Sequence, residues 1–258
     1  MLQERKLRRM IHGKYVLKST DIMLGSYPRS GNTWLRHLIT LVRYPGKNIE
    51  KEDLVNRTVP DLHSPITTEE MVDTLTNPRV FKTHFCYRVL EWGKAIFLYR
   101  DPRDVAISYF HFNKKLNKYS GTFNTWLRMF LNSYFPFFPM VNWRQHTESW
   151  LKGKERNINS ILVVKYEDMV ANIYDTVAEV CKFIGLQADK QVVVEAIKGS
   201  SFERINRIYS RSNRLTWVGI RGGPGQWKET LTDPQNDEFW KRWGNFMSQL
   251  GYKKERNS

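Results

Sequence analysis

The chain has 258 residues, 41% of them hydrophobic, enough to bury a full core in one large α/β domain, and residues 1–258 read as a single domain. Its 41 Lys and Arg outweigh 26 Asp and Glu for a formal net charge of +15, a field that attracts polyanions, anionic membranes or an anionic small ligand without choosing among them. Cys86 and Cys181 lie far apart without metal-ligand spacing, which excludes a disulfide framework, and no stretch approaches the ~20 apolar residues of a membrane-spanning helix.

Residues 1–10 are basic but lead into Ile11, His12, Gly13 and Lys14 in place of the apolar stretch of a secretory signal, so a cytoplasmic protein without stable membrane insertion is expected. Residues 21–27 form an apolar run of strand length, and residues 34–42 repeat apolar residues at helical spacing. The turn between them therefore sits at a helix N-terminus, where unpaired backbone N–H groups and the macrodipole favour an oxyanion. Gly31 permits close backbone approach, Ser30 and Thr33 supply hydroxyls, and Arg29 supplies a planar charged fork. A plain strand-to-helix connection with a solvated Arg29 is the competing reading. Asn32 stands where a Walker loop wants Lys, which disfavours Mg²⁺-dependent triphosphate hydrolysis.

Buried strands are predicted at residues 79–83, 95–99 and 160–165, alternating with helical patterns. That alternation gives an α/β fold with a central parallel sheet flanked by helices, and ligands at the carboxyl ends of the strands. His84, following Lys82 and Thr83, projects toward the same edge as the Arg29 turn; an imidazole there can take a proton from a hydroxyl or amine, with Lys82 neutralising charge on a leaving phosphate. A satisfied histidine of no catalytic role competes with this. Residues 101–110 start a helix with Asp101, Pro102 and Asp104, so Arg100 and Ser108 form a second candidate phosphate clamp. Alternatively the two acids cap the helix and Arg100 and Arg103 pair with them.

Residues 109–150 form an aromatic insertion, with residues 134–141 as a loop over a pocket where aromatic faces hold an organic acceptor; aromatics that simply fill the core are the equal alternative. Residues 167–185 read as one helix with Met169, Val170, Ile173, Val177, Val180, Cys181 and Ile184 on its core stripe. A helix over 189–199 leads to Ser200 and Phe202, the Gly-rich run of Arg221, Gly222 and Gly223 offers backbone amides to an anion, and an amphipathic helix over 234–250 closes the chain.

Five motifs carry a resemblance: residues 27–34 around Arg29, Ser30, Gly31, Asn32, Thr33 and Trp34; Lys82-Thr83-His84; Tyr99-Arg100-Asp101 through Ser108-Tyr109; Tyr166-Glu167-Asp168-Met169; and residues 221–228. In this order and spacing, from residue 27 to about 237, the chain resembles the cytosolic-type sulfotransferase family. The resemblance implies a P-loop-like sulfotransferase fold and an enzyme using 3′-phosphoadenosine 5′-phosphosulfate (PAPS), with adenosine 3′,5′-bisphosphate (PAP) as product and no metal. It also implies that the first turn holds the 5′-phosphosulfate, Trp34 and Phe202 sandwich the adenine, and Tyr166 and Ser200 lie near the nucleoside. Arg100, Ser108, Arg221, Gly222 and Gly223 then hold the 3′-phosphate, His84 is the general base, and Lys82 with Arg29 stabilises charge at the transferring group.

Gly222 replaces the usual Lys of that family, and Asp233 replaces a Val in its dimerisation segment, residues 228–237. Burying an unpaired carboxylate is costly, so a monomer or weak homodimer is expected. The expected acceptor is a small molecule bearing a hydroxyl, less readily an amine. Arg29 and Asn32 lean, by resemblance, toward a bacterial branch where tailoring a secondary metabolite is a natural role. A nucleic-acid-binding or other polyanion-binding protein without catalysis is the alternative, motivated by the +15 charge. The dispersed basic residues and the lack of a nucleic-acid-binding motif speak against nucleic acid as partner.

Overall fold

Four apolar runs make the sheet. β1 (Ile22–Ser26) and β2 (Val80–Thr83) are buried along their whole length, whereas β3 (Lys94–Tyr99) starts at an exposed Lys94 and β4 (Ile161–Lys165) is partly covered. Runs of this kind belong to parallel strands covered on both faces. A computed structural model, which describes residues 17–49, 53–87, 93–132, 135–156, 160–211 and 223–255, orders them β2-β1-β3-β4, every pair parallel. Each strand lies within two residues of its predicted bounds.

The helices in chain order are α1 (Asn32–Arg43), α2 (Asp53–Thr58), α3 (Glu69–Asp73), α4 (Pro102–Lys115), α5 (Phe123–Leu131), α6 (Trp143–Arg156), α7 (Tyr166–Ala171), α8 (Ile173–Ile184), α9 (Lys190–Gly199), α10 (Phe202–Arg211), α11 (Trp227–Thr230) and α12 (Asp233–Gln249). Alternate strand residues serve opposite faces: Leu24, Ile96 and Leu98 pack with Leu35, Leu38, Val180 and Ala196, while Met23, Phe81 and Phe97 pack with Trp150. Gly25 makes the second contact possible, because a Cβ there would sit 2.1 Å from the Trp150 indole. No helix among the described residues is long and apolar enough to cross a membrane.

Two predicted features change. Residues 167–185 are two helices, because Asn172 adopts φ −135° and ψ 58°, outside the helical region, and its N–H closes α7 on the Asp168 carbonyl at 2.8 Å. Val170, at 36% exposure, lines a cavity at the sheet edge and leaves the predicted core stripe. In the aromatic insertion Trp126, Phe130, Phe135, Trp143 and Trp150 are buried, so core filling accounts for most of it. Phe138 alone among the large aromatics of the described residues is exposed, at 40%; Tyr134 lies outside the described residues.

Candidate active site

All four strands deliver side chains to one cavity of about 840 Å³ at their carboxyl ends. Pro28 to Trp34 follow β1, Lys82 and His84 end β2, Arg100 follows β3, and Tyr166 follows β4. Among the expected site residues, Arg29, Gly31, Asn32, Thr33, Trp34, Lys82, His84, Arg100, Ser108, Tyr166, Phe202 and Gly223 all line it. Ser30 lies just beneath the wall, fully buried. Ser200 is also fully buried, its hydroxyl donating to the Ile197 carbonyl at 3.2 Å, and it does not reach the cavity because the end of α9 claims it. Arg221 and Gly222 lie outside the described residues.

The turn after β1 is held in a conformation few residues adopt. Arg29 has φ 71° and Gly31 φ 101°. A Cβ at Gly31 would lie 2.6 Å from the Tyr166 ring, so glycine is needed for both reasons. A non-glycine residue at positive φ costs about 1–3 kcal/mol, which the surrounding contacts must offset. For Arg29 these include its Nε donating to Ser108 Oγ at 3.0 Å and its guanidinium over Phe112 at 5.0 Å. Asn32 Nδ2 donates to Ser26 Oγ at 3.0 Å, tying the first residue of α1 back to β1.

Arg100 stacks on Tyr166 at 4.4 Å, donates from Nη2 to the Gly223 carbonyl at 2.6 Å, and lies 3.4 Å from Asp104. Asp104 in turn accepts the N–H groups of Gly225 at 2.8 Å and Trp227 at 2.9 Å. The competing reading of this helix start is therefore also realised: Asp101 caps α4 and binds Arg103 at 2.7 Å. Arg100 nevertheless faces the cavity. Burial, then the nearby Arg100, lowers Arg29 to about 10, which leaves it charged at neutral pH.

His84 is placed with one nitrogen committed. Its Nδ1 donates to the Ser26 carbonyl at 2.6 Å, which puts the proton on Nδ1 and the lone pair on Nε2. Burial, then Lys82, pulls its pKa well below 6.5, with Asp61 partly opposing. Lys82 is not a bare cation: its Nζ donates to Asp61 Oδ2 at 2.7 Å. Burial acts to raise Asp61, yet Lys82, His84 and Arg36 together hold it well below the usual carboxylate range. Neither Asp61 nor the adjacent cavity residue His63 was singled out in the sequence. Their only signal is a spacing of two, matching that of Lys82 and His84 across a pairing that no local pattern announces.

Such a site, a parallel sheet gathering two guanidinium groups, a glycine turn and a neutral imidazole at its carboxyl edge, defines an anion-binding α/β group-transfer enzyme. A sulfotransferase domain model matches residues 19–251. The chain is 28% identical over 235 residues to human Sulfotransferase 4A1, covering 87% of this chain and 79% of that protein. It is 28% identical over 256 residues to mouse Sulfotransferase 2A2, covering 92% and 87%. The crystal structure of mouse sulfotransferase SULT7A1 complexed with PAP shares the fold, with a TM-score of 0.71 at 22% identity over 91% of this chain and 87% of that one. The chain belongs to the sulfotransferase family and is a PAPS-dependent sulfotransferase. The site fits that donor: Arg100 Nε in the wall and Ser30 Oγ just beneath it are buried polar atoms without a hydrogen-bond partner among the described residues.

Proposed function

We propose that the protein moves the sulfuryl group of PAPS in line onto a hydroxyl of a small organic acceptor, with His84 as general base. The observation that carries this reading is the Nδ1 bond of His84 to the Ser26 carbonyl, which leaves a basic Nε2 at the cavity. PAPS, when bound, would supply the sulfuryl group: the acceptor oxygen–sulfur bond would form as the sulfur–oxygen bond to the 5′-phosphate breaks, PAP leaving with the negative charge and His84 Nε2 taking the hydroxyl proton. Arg29 and Lys82 stabilise charge around the transferring group, as expected for a reaction that depends on positioning and electrostatics. Ser30, Gly31, Asn32 and Thr33 hold the 5′ end, Trp34 and Phe202 the adenine, and Tyr166 the nucleoside. Arg100, Ser108 and Gly223, together with Arg221 and Gly222, hold the 3′-phosphate.

His63 and Phe138 lie beside His84, and the same cavity is lined by Pro65, Ile66, Tyr109 and Phe112. Those walls favour an acceptor with an apolar body, a description that includes secondary metabolites. Cys86 and Cys181, both thiols, fit a cytoplasmic setting. Asp233, in the first turn of α12 and exposed, favours a monomer or weak dimer. The test is transfer of label from PAPS across phenols, alkyl alcohols, amines and sugars. Transfer to apolar alcohols or phenols is expected, and His84→Ala should lower kcat by roughly 10²- to 10⁴-fold. Equal loss of donor binding in His84→Ala would contradict the assignment.

A further inference from the structure

Residues 60–62 lie beside β2 through a single parallel bridge at Asp61. Asp61 bridges Lys82, the Leu62 N–H donates to the Lys82 carbonyl at 3.0 Å, and the Lys82 N–H donates to the Pro60 carbonyl at 2.9 Å. The chain then turns over residues 61–64, the Ser64 N–H donating to the Asp61 carbonyl at 3.0 Å, and the turn brings His63 to the end of β2 where Lys82 and His84 lie. Asp61 Oδ2 takes the Lys82 ammonium at 2.7 Å, and His63 Nε2 accepts the backbone N–H of His84 at 2.9 Å. Asp61 Oδ1 also accepts the His63 N–H at 2.9 Å, so one carboxylate joins both clamps. The imidazoles of His63 and His84 lie nearly parallel, 8° apart in plane and 6.0 Å between centroids.

We propose that Asp61 and His63 are positioning residues for sulfuryl transfer: Asp61 sets where the Lys82 ammonium sits, and His63 fixes the backbone that carries His84. The inference rests on the reading of His84 as general base. His84 is then held at two points, its Nδ1 by Ser26 and its main-chain N–H by His63, and the direction of Nε2 is fixed. A displacement of about 1 Å at a reacting group is worth on the order of a hundredfold in rate, so the second point of attachment matters to turnover. A His63 that only touches the acceptor would act differently. It would alter acceptor KM and leave kcat alone.

The experiment compares His63→Phe, His63→Gln, Asp61→Ala and His84→Ala. Phenylalanine keeps a ring against Phe85 and Phe138 but cannot accept the His84 N–H, whereas the Gln Oε1 can. PAP affinity and thermal unfolding show whether each variant is folded. His63→Phe and Asp61→Ala should lose roughly ten- to a hundredfold in kcat with donor affinity unchanged, and His63→Gln should recover most of the loss. The inference is overturned if His63→Phe keeps wild-type kcat, if only acceptor KM rises, or if His63→Gln is no better than His63→Phe, while His84→Ala is inactive. Full turnover in His84→Ala instead removes the general-base reading, and the inference with it.

Discussion

His84 works in the proposed reaction only as a neutral imidazole, and its environment keeps it so. Burial and the neighbouring Lys82 push its pKa down, so the base form dominates above that lowered value and is lost as the pH falls through it. The acid limb of a plot of kcat against pH should therefore lie below pH 6.5, with kcat flat across neutrality. A limb inflecting above pH 7 would contradict the environment described. The Arg29 turn was legible because its message is local, with apolar strand, positive-φ glycine and helix following one another without a break between residues 22 and 43. Asp61 and His63 carry no local message, and Asp104 announces only a helix start. What they do depends on partners 21, 21 and 121 positions away in the sequence.

Between elements, the link that matters most joins the start of α4 to the loop ahead of α11. Asp104 uses both oxygens on the N–H groups of Gly225 and Trp227, while Arg100 holds the Gly223 carbonyl. This orders the described end of the loop proposed to hold the 3′-phosphate. In Asp104→Asn the amide nitrogen cannot accept, so one buried N–H loses its partner at about 1–3 kcal/mol. The expected result is a lower unfolding temperature and faster PAP release, read by stopped-flow fluorescence, with kcat at saturating donor little changed. Unaltered PAP release would show that the loop is ordered by other contacts. The alternation of strands and helices was plain in the sequence, since its apolar runs are short and buried. The break at Asn172 was not, because the apolar stripe continues across it while the backbone turns out of the helix.

At the scale of the whole molecule, strand order and the use of the aromatic insertion were beyond local patterning. Nothing within β1 says that it lies between β2 and β3, and Trp126, Phe130, Phe135 and Trp143 look alike in sequence whether they line a pocket or fill a core. Tyr109 shows how the two uses meet, since its hydroxyl donates to the Phe138 carbonyl and so ties an exposed aromatic to the buried cluster beside the cavity. The formal charge of +15 gains meaning at the strand ends, where Arg29 and Arg100 are close enough for one to lower the other's pKa. Two like charges held that near each other in a buried site are best served by an anion between them. Isothermal titration calorimetry with PAP tests this most directly. The account predicts saturable binding by the wild type, undiminished binding by His84→Ala and at least tenfold weaker binding by Arg100→Ala, whereas no binding by the wild type, or equal affinity in Arg100→Ala, would contradict it.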